Sequence, residues 1–343
     1  MTKVLFLLIG LATLLCGPVV AQTTFRVMEY NVENMFDTIN NPEKDDDEFL
    51  PSGNRHWMGK RYYHKLRQIS KAISAAGEWS TPALVALCEV ENDSVVTHLL
   101  SRTPLRQQHY RYCMTHGSDT RGINTALLYQ RDLFGYISHM EHPVVFSREN
   151  HKETRNILHV WGKLITADTL DVFVCHFPSR YGGEKETEAD RFDAARTLRL
   201  LCDSLLRVRT TPQILIMGDF NDTAENRSLT EVLSAGKITG AIDEKRLYNL
   251  FATPMKDAPP GTHKYRGEWA QLDHIIVSGN LLTDKSAMHL ISGSNKIFAP
   301  SFLFIEDKTH KGMRPFRTYN GFRYEGGFSD HLPLIADFLL LSK

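Results

Sequence analysis

The pattern of this chain predicts a layered α/β fold, packed sheets flanked by helices, in one domain. Short β-branched and aliphatic runs alternate with stretches of helical spacing throughout residues 22–343. Neighbouring runs such as 157–165 and 170–176 are close enough in sequence to pair as hairpins. No internal repeat or low-complexity linker divides them, so a single domain is the economical reading. A composition of 42% hydrophobic and 23% charged residues over 343 positions supplies a sizeable core and excludes a disordered or collagen-like chain.

The elements follow in order. Residues 1–21 stand apart: Lys3, an apolar run from Val4 to Cys16, and the small residues Val19 and Ala21 before the polar Gln22 have the layout of a secretory signal peptide. Export to the periplasm or the extracellular space is therefore expected. The apolar run is shorter than the roughly 20 residues of a membrane span, so no stable membrane insertion is expected after cleavage. A bulky leucine in Leu15-Cys16-Gly17 disfavours lipoprotein anchoring at that cysteine. Strands are expected at 25–30, 83–89, 123–129, 157–165, 170–176, 213–218, 271–277 and 334–340, most of them bounded by turn residues. Helices are expected at 63–75, where Leu66, Ile69 and Ile73 share a face, and at 186–206, where Ala195, Leu198, Leu201 and Leu205 do.

Two segments break the pattern. Residues 40–59 hold Asp45-Asp46-Asp47-Glu48 but lack the register of an EF-hand, so a solvated acidic loop is expected. Residues 292–327 are long, basic and aromatic, and either face a substrate or pack their rings against the domain.

Forty basic residues balance forty acidic ones, and loss of Lys3 with the leader leaves 39 against 40. No net positive field therefore argues for nucleic-acid binding. Cys88, Cys113, Cys175 and Cys202 show no C-x-x-C spacing, which disfavours structural zinc. Export permits disulfides, but Cys88 and Cys175 lie inside apolar runs, where a buried free thiol is the expected state.

The informative feature is a recurring local form, an apolar strand followed at once by acidic, amide or histidine side chains. It occurs at Glu29-Tyr30-Asn31, at Cys88-Glu89, at Cys175-His176, at Gly218-Asp219-Phe220-Asn221 and at Ser329-Asp330-His331. Each alone is where a strand meets water; together they imply convergent strand ends lining one polar cleft. Glu89, Asp219, Asp273 and Asp330 with the amides Asn31 and Asn221 make an oxygen-rich set that suits Mg²⁺ or Mn²⁺ better than zinc. His176 and His331 add groups that titrate near neutrality. A hard cation, a histidine and a carboxylate are the parts needed to hydrolyse a phosphate ester.

In this order the motifs resemble the endonuclease/exonuclease/phosphatase superfamily, the group of the pancreatic deoxyribonuclease, and specifically a bacterial secreted-type branch. The resemblance spans residues 25–340 and rests on Asn31, Glu89-Val90, His176 before Pro178-Ser179-Arg180, Gly218-Asp219-Phe220-Asn221, Leu272-Asp273-His274 and Ser329-Asp330-His331. It implies a four-layer α/β/β/α sandwich, two mixed sheets flanked by helices, with the site at one end of the sheets. It also implies Glu89 as principal metal ligand with Asn31 and Asp330 nearby, and Asp219 and Asn221 on the nucleophilic water and the scissile phosphate. His331, oriented by Asp273, would be the base or a phosphate-stabilising cation, with Asp219 the other candidate base. His176 would donate toward the phosphate or the leaving oxygen.

Arg121, Arg155 and Arg180 fall close to these motifs and are expected on a phosphate-binding rim. Lys264 is read as a surface charge, and Trp269 and Tyr265 as packing residues rather than stacking platforms. The leading expectation is a secreted, Mg²⁺-dependent phosphodiesterase acting on a phosphate-ester substrate, an endonuclease first among its kinds. A phosphatase or a sphingomyelinase-like phospholipid hydrolase is the alternative; the latter needs an apolar hairpin, for which residues 297–305 are the candidate. A non-catalytic binding protein on the same fold is the third, disfavoured because Glu89, His176, Asp219 and His331 are all present.

Overall fold

In the computed structural model, which describes residues 22–149, 151–256 and 258–341, the expected strands assemble into two mixed sheets of seven strands each. The leader expected at 1–21 lies outside the described residues. The first sheet is built on β1 (Gln22–Met35), β2 (Leu84–Val90), β3 (Arg111–Met114) and β4 (Asn124–Tyr129). Its order is Met288–Leu290, Leu334–Leu341, β1, β2, β4, β3, with Lys296–Ile297 also paired to the last strand of the chain. The second contains β5 (Phe134–His142), β6 (Ile157–Leu164), β7 (Thr169–His176) and β8 (Gln213–Asp219), followed by Asp273–Ser278, Leu247–Asn249 and Ala235–Gly236.

Helix α1 (Gly59–Gly77) puts Leu66, Ile69 and Ile73 into the core, as the spacing requires, and ends where Glu78 takes a positive φ of 53°. An unanticipated short helix, α2 (Asp93–Ser101), is started by Asn92, whose side chain accepts from the Val95 N–H at 3.0 Å. Helix α3 (Glu188–Val208) buries Ala194, Ala195, Leu198, Cys202 and Leu206 against the outer face of the second sheet. Its first turn is acidic and Arg207 lies in its last, matching the helix dipole. The layers are thus helices, sheet, sheet and helix. Strands covered on both faces read as unbroken apolar runs, which is why β2, β4 and β8 are buried almost end to end.

The irregular segments pack more than the sequence suggests. Within 40–59, Phe49 and Trp57 are buried and the Asp46 carboxylate accepts the Asn41 N–H, while Asp45 and Asp47 stay exposed. Segment 292–327 folds into two small hairpins, Phe304–Glu306 with Met313–Pro315 and Tyr319–Asn320 with Arg323–Tyr324. Ile297, Phe298 and Leu303 join the main core, so the candidate membrane hairpin is packed down instead of exposed. All four described cysteines are free and buried.

Candidate active site

Local backbone geometry aims the site. Pairing of β1 with β2 shifts register between Asn31 and Met35, and pairing of β2 with β4 shifts between Cys88 and Val90. At these irregularities Glu33, Asn34 and Glu89 take positive φ, at 53°, 48° and 66°, and Asn221 does the same at 51° just beyond β8. Bulges and left-handed residues re-aim side chains at strand ends, and non-glycine residues tolerate them only where the surroundings enforce them. Gly218 is the exception that only glycine can fill, because any Cβ there would run into the Cys175 carbonyl.

Register then juxtaposes the side chains. His176 lies opposite Asp219 across β7 and β8, and Asp219 lies opposite Asp273 on the next strand. The two sheets meet where the Asn31 Nδ2 donates to Asp219 Oδ2 at 3.0 Å. That same oxygen is 3.6 Å from His176 Nε2 and 3.9 Å from His331 Nε2. Ser329 ties its loop to β1 by donating to the Asn31 carbonyl at 2.6 Å, and accepts the His331 N–H at 3.1 Å. His331 Nδ1 and Asp273 Oδ2 are 2.8 Å apart.

These contacts set the protonation states. Burial, then the Asp273 charge, pushes Asp219 up to about 7. Burial opposes the charged form of His331, but Asp273, by charge and hydrogen bond, outweighs it and holds the imidazole well above its ordinary range. His176 goes the other way, driven well down by burial and by Arg155 and Arg121, and its Nδ1 makes no hydrogen bond among the described residues. Two histidines facing one carboxylate therefore differ in charge at neutral pH.

Glu89 Oε2 accepts the Asn34 N–H at 2.8 Å, while Oε1 points toward His176 Nε2 at 3.9 Å. Asn31 Oδ1 accepts the Glu33 N–H at 3.0 Å. Asp330 is gripped by Arg317 at 2.6 Å and lies beside His263 and His331. Burial alone would raise its pKa, but the Arg317 charge holds it well below the usual carboxylate range. Asn221 supports Asp219 locally: its N–H donates to Asp219 Oδ1 at 2.8 Å and its side-chain amide donates to the Phe177 carbonyl at 3.1 Å.

The expected arginine rim is only partly present. Arg121 is partly exposed and borders a cavity of about 540 Å³ that also includes Asn34, Asp45, Glu48 and Arg55. Arg155 is buried and not on the expected rim: it is 4% exposed, paired with Asp119 at 3.1 Å and bonded to the Phe177 carbonyl, so it braces the site from below. Arg180 binds the Asn221 carbonyl, Asp222, Asn226 and Glu184, and so holds the loop after β8 in place of a free phosphate contact. Lys264 is not a free surface charge, since it pairs with Asp307 at 2.9 Å. Trp269 packs against the core and Tyr265 is exposed.

Sequence reading missed a buried set beneath the site. Glu29 is fully buried, its carboxylate oxygens have no hydrogen-bond partner among the described residues, and burial with Asp273 and Asp219 nearby pushes its pKa well up. Glu33 accepts the Thr318 N–H at 2.7 Å and faces Lys65 at 3.9 Å and Arg317 at 3.6 Å. Lys65, brought down to about 8 by burial, donates to Thr318 and to the Phe328 carbonyl. Segment 292–327 thus contributes Arg317 and Thr318 to the site while its aromatics pack. The one signal available was Glu29 and Glu33, charged residues inside the apolar run that carries Asn31.

Comparison with known proteins bears on the family and the fold. A family model described as "Endonuclease/Exonuclease/phosphatase family" matches residues 26–339. No curated protein sequence matches. Among solved structures, a functionally unknown conserved protein from Enterococcus faecalis is similar at TM-score 0.56 and 15% identity, covering 92% of this chain and 99% of that one. An endonuclease/exonuclease/phosphatase family protein from Bacteroides thetaiotaomicron gives TM-score 0.55 and 12% identity over 94% and 96% of the two chains. TDP2 from D. rerio, solved with a single-strand DNA product, gives TM-score 0.54 and 14% identity over 92% and 99%. At these identities the likeness is one of fold.

Proposed function

The chain belongs to the endonuclease/exonuclease/phosphatase family, and from that premise we propose that it is an exported, Mg²⁺- or Mn²⁺-dependent phosphodiesterase whose substrate is a nucleic acid. The observation that carries the reading is the convergence of Asn31, His176 and His331 on Asp219 Oδ2, within 3.0 to 3.9 Å, from both sheets. A D. rerio structure of TDP2 holds a single-strand DNA product, which supports nucleic acid as the substrate class.

The donor set fits a hard dication. Glu89 keeps Oε1 free of hydrogen-bond donors while Oε2 is fixed by the Asn34 N–H, and Asn31 and Asp330 offer further oxygens. Bound by Glu89 with Asn31 and Asp330, such a cation supplies neutralisation of phosphoryl charge. The chain's own groups supply the rest. Asp219, held near neutrality and capped on Oδ1 by Asn221, accepts the proton of an attacking water through Oδ2. His331, charged and fixed by Asp273, places a cation where the phosphate gains negative charge. Between the two candidate bases this division favours Asp219. His176, kept neutral, presents Nε2 as a donor toward the leaving oxygen.

A second reading, a phosphatase acting on a compact phosphate ester, is favoured by the cavity next to Asn34, where Asp45, Asp47 and Glu48 would repel an extended polyanion. The test is to incubate the chain from Gln22 onward with Mg²⁺ or Mn²⁺ against plasmid DNA, RNA, sphingomyelin and inositol phosphates, beside an Asp219→Ala control. Cleavage of DNA or RNA, lost with EDTA and in the control, is expected. Turnover of phosphomonoesters alone moves the assignment to the second reading, and no metal-dependent turnover of any substrate refutes both.

A further inference from the structure

We propose that His263, Asp330 and His331 form a binding site for a transition-metal dication of the zinc class, which shares Asp330 with the hard-cation position at Glu89. One ligand atom from each lies within 4.8 Å of the other two. His263 Nε2 is 3.8 Å from Asp330 Oδ2, and the rings of His263 and His331 are 4.7 Å apart. The backbone holds this grouping: His263 and His331 form an isolated antiparallel bridge, and the Leu332 N–H donates to the Thr262 carbonyl at 2.8 Å.

The chemistry of the donors selects the ion. Two imidazoles and one carboxylate suit Zn²⁺, Co²⁺ or Cu²⁺, whereas Mg²⁺ prefers an all-oxygen shell. His331 is already arranged as a metal-binding histidine, because Asp273 takes Nδ1 and leaves Nε2 outward, the carboxylate–histidine–metal arrangement that fixes the tautomer. Ligand atoms on a tetrahedral zinc are about 3.3 Å apart, so the side chains need to close by roughly 1 Å, a rotation rather than a refolding. Arg317 on Asp330 orients the carboxylate but repels a cation and competes for its Oδ2, which weakens the site. Three protein ligands leave the fourth position open. Resting on the function proposed above, binding at this site inhibits hydrolysis, because it draws Asp330 away from the hard cation and His331 away from the phosphate. His263 has no part in that hydrolysis and serves as the ligand that separates the two ions.

The test uses Co²⁺ and Zn²⁺ titrations of the whole chain in saturating Mg²⁺, read by the visible d–d absorption of Co²⁺ and by calorimetry for Zn²⁺. Wild type is expected to give the intense absorption of a four- or five-coordinate Co²⁺ that Zn²⁺ displaces. His263→Phe and His263→Asn, two variants of different polarity checked for folding by circular dichroism, are expected to weaken both metals by at least about 10-fold. Their Mg²⁺-dependent turnover in zinc-free buffer is expected to persist, with zinc inhibition weakened by the same factor. Unchanged metal affinity in both folded variants, or a weakly absorbing octahedral Co²⁺ that Mg²⁺ displaces, overturns the proposal. Metal binding that depends on His263 in a protein that cleaves no phosphate ester leaves this site standing and removes the proposed function instead.

Discussion

Replacing Asp273 by asparagine removes one charge from behind His331 and leaves an oxygen to accept its Nδ1–H. Asp273 is 0% exposed and 2.8 Å from the imidazole. Two unit charges about 3 Å apart at an effective dielectric of 20 attract by roughly 5 kcal/mol, most of it offset by the desolvation both groups have undergone. What remains is the net worth of a hydrogen bond to a charged group, about 1.5–3 kcal/mol, or about 10- to 150-fold in the proton equilibrium of His331. In Asp273→Asn, His331 therefore titrates at lower pH, and the alkaline limb of the pH–rate profile moves down with it. Turnover per folded molecule should fall by about 10²- to 10⁴-fold, the range of positioned acid–base groups. Stability carries a matching sign. With its folded pKa raised, His331 contributes stability that is fully present below about pH 6.5 and is lost as pH rises through the raised value. The gap in stability between wild type and variant is thus widest in acid and narrows above neutrality. Turnover of a soluble phosphodiester against pH, a proton NMR titration of His331, and urea melts at several pH values measure all three. An unmoved His331 titration with turnover within a few-fold of wild type would refute the assignment of His331 as a cation held by Asp273.

Two further outcomes are expected. His176→Ala and His331→Ala should each lower turnover by about 10² or more, and the double variant by much less than the product, because both act on one phosphate around Asp219; normal turnover of folded His176→Ala would remove that residue from the chemistry. Arg191→Met should cost about 1.5–3 kcal/mol in urea denaturation, because the buried Arg191 guanidinium is 2.7 Å from Asp222 Oδ1 and its loss leaves that carboxylate, 1% exposed, to Arg180 and Ser228; a loss below about 0.5 kcal/mol would mean that Arg180 and Ser228 alone carry Asp222.

The apolar runs, the helical faces and the polar residues at the strand ends were legible in the sequence because each is a local property. A strand shows its period and an exposed end shows its polarity wherever the partner strand is. Asn31, Glu89, His176, Asp219, Asp273 and His331 could thus be selected, and the order of their motifs carried the family. What each group does there depended on contacts between residues far apart in the chain. Arg155 and Arg180 have the same composition signal as Arg121, yet Asp119 and the loop after β8 occupy them and leave Arg121 on the cavity edge. The positive φ of Asn221 and the bond from its amide to the Phe177 carbonyl, which seat it beside Asp219, were likewise not local properties. Lys65, Arg317 and His263 carried no local sign of their place around the site, because it is set by the facing of two sheets and the return of the 292–327 segment. Charge state is the plainest case: His176 and His331 are the same side chain at the ends of similar motifs, and only burial beside Arg155 in one and contact with Asp273 in the other make the first neutral and the second a cation.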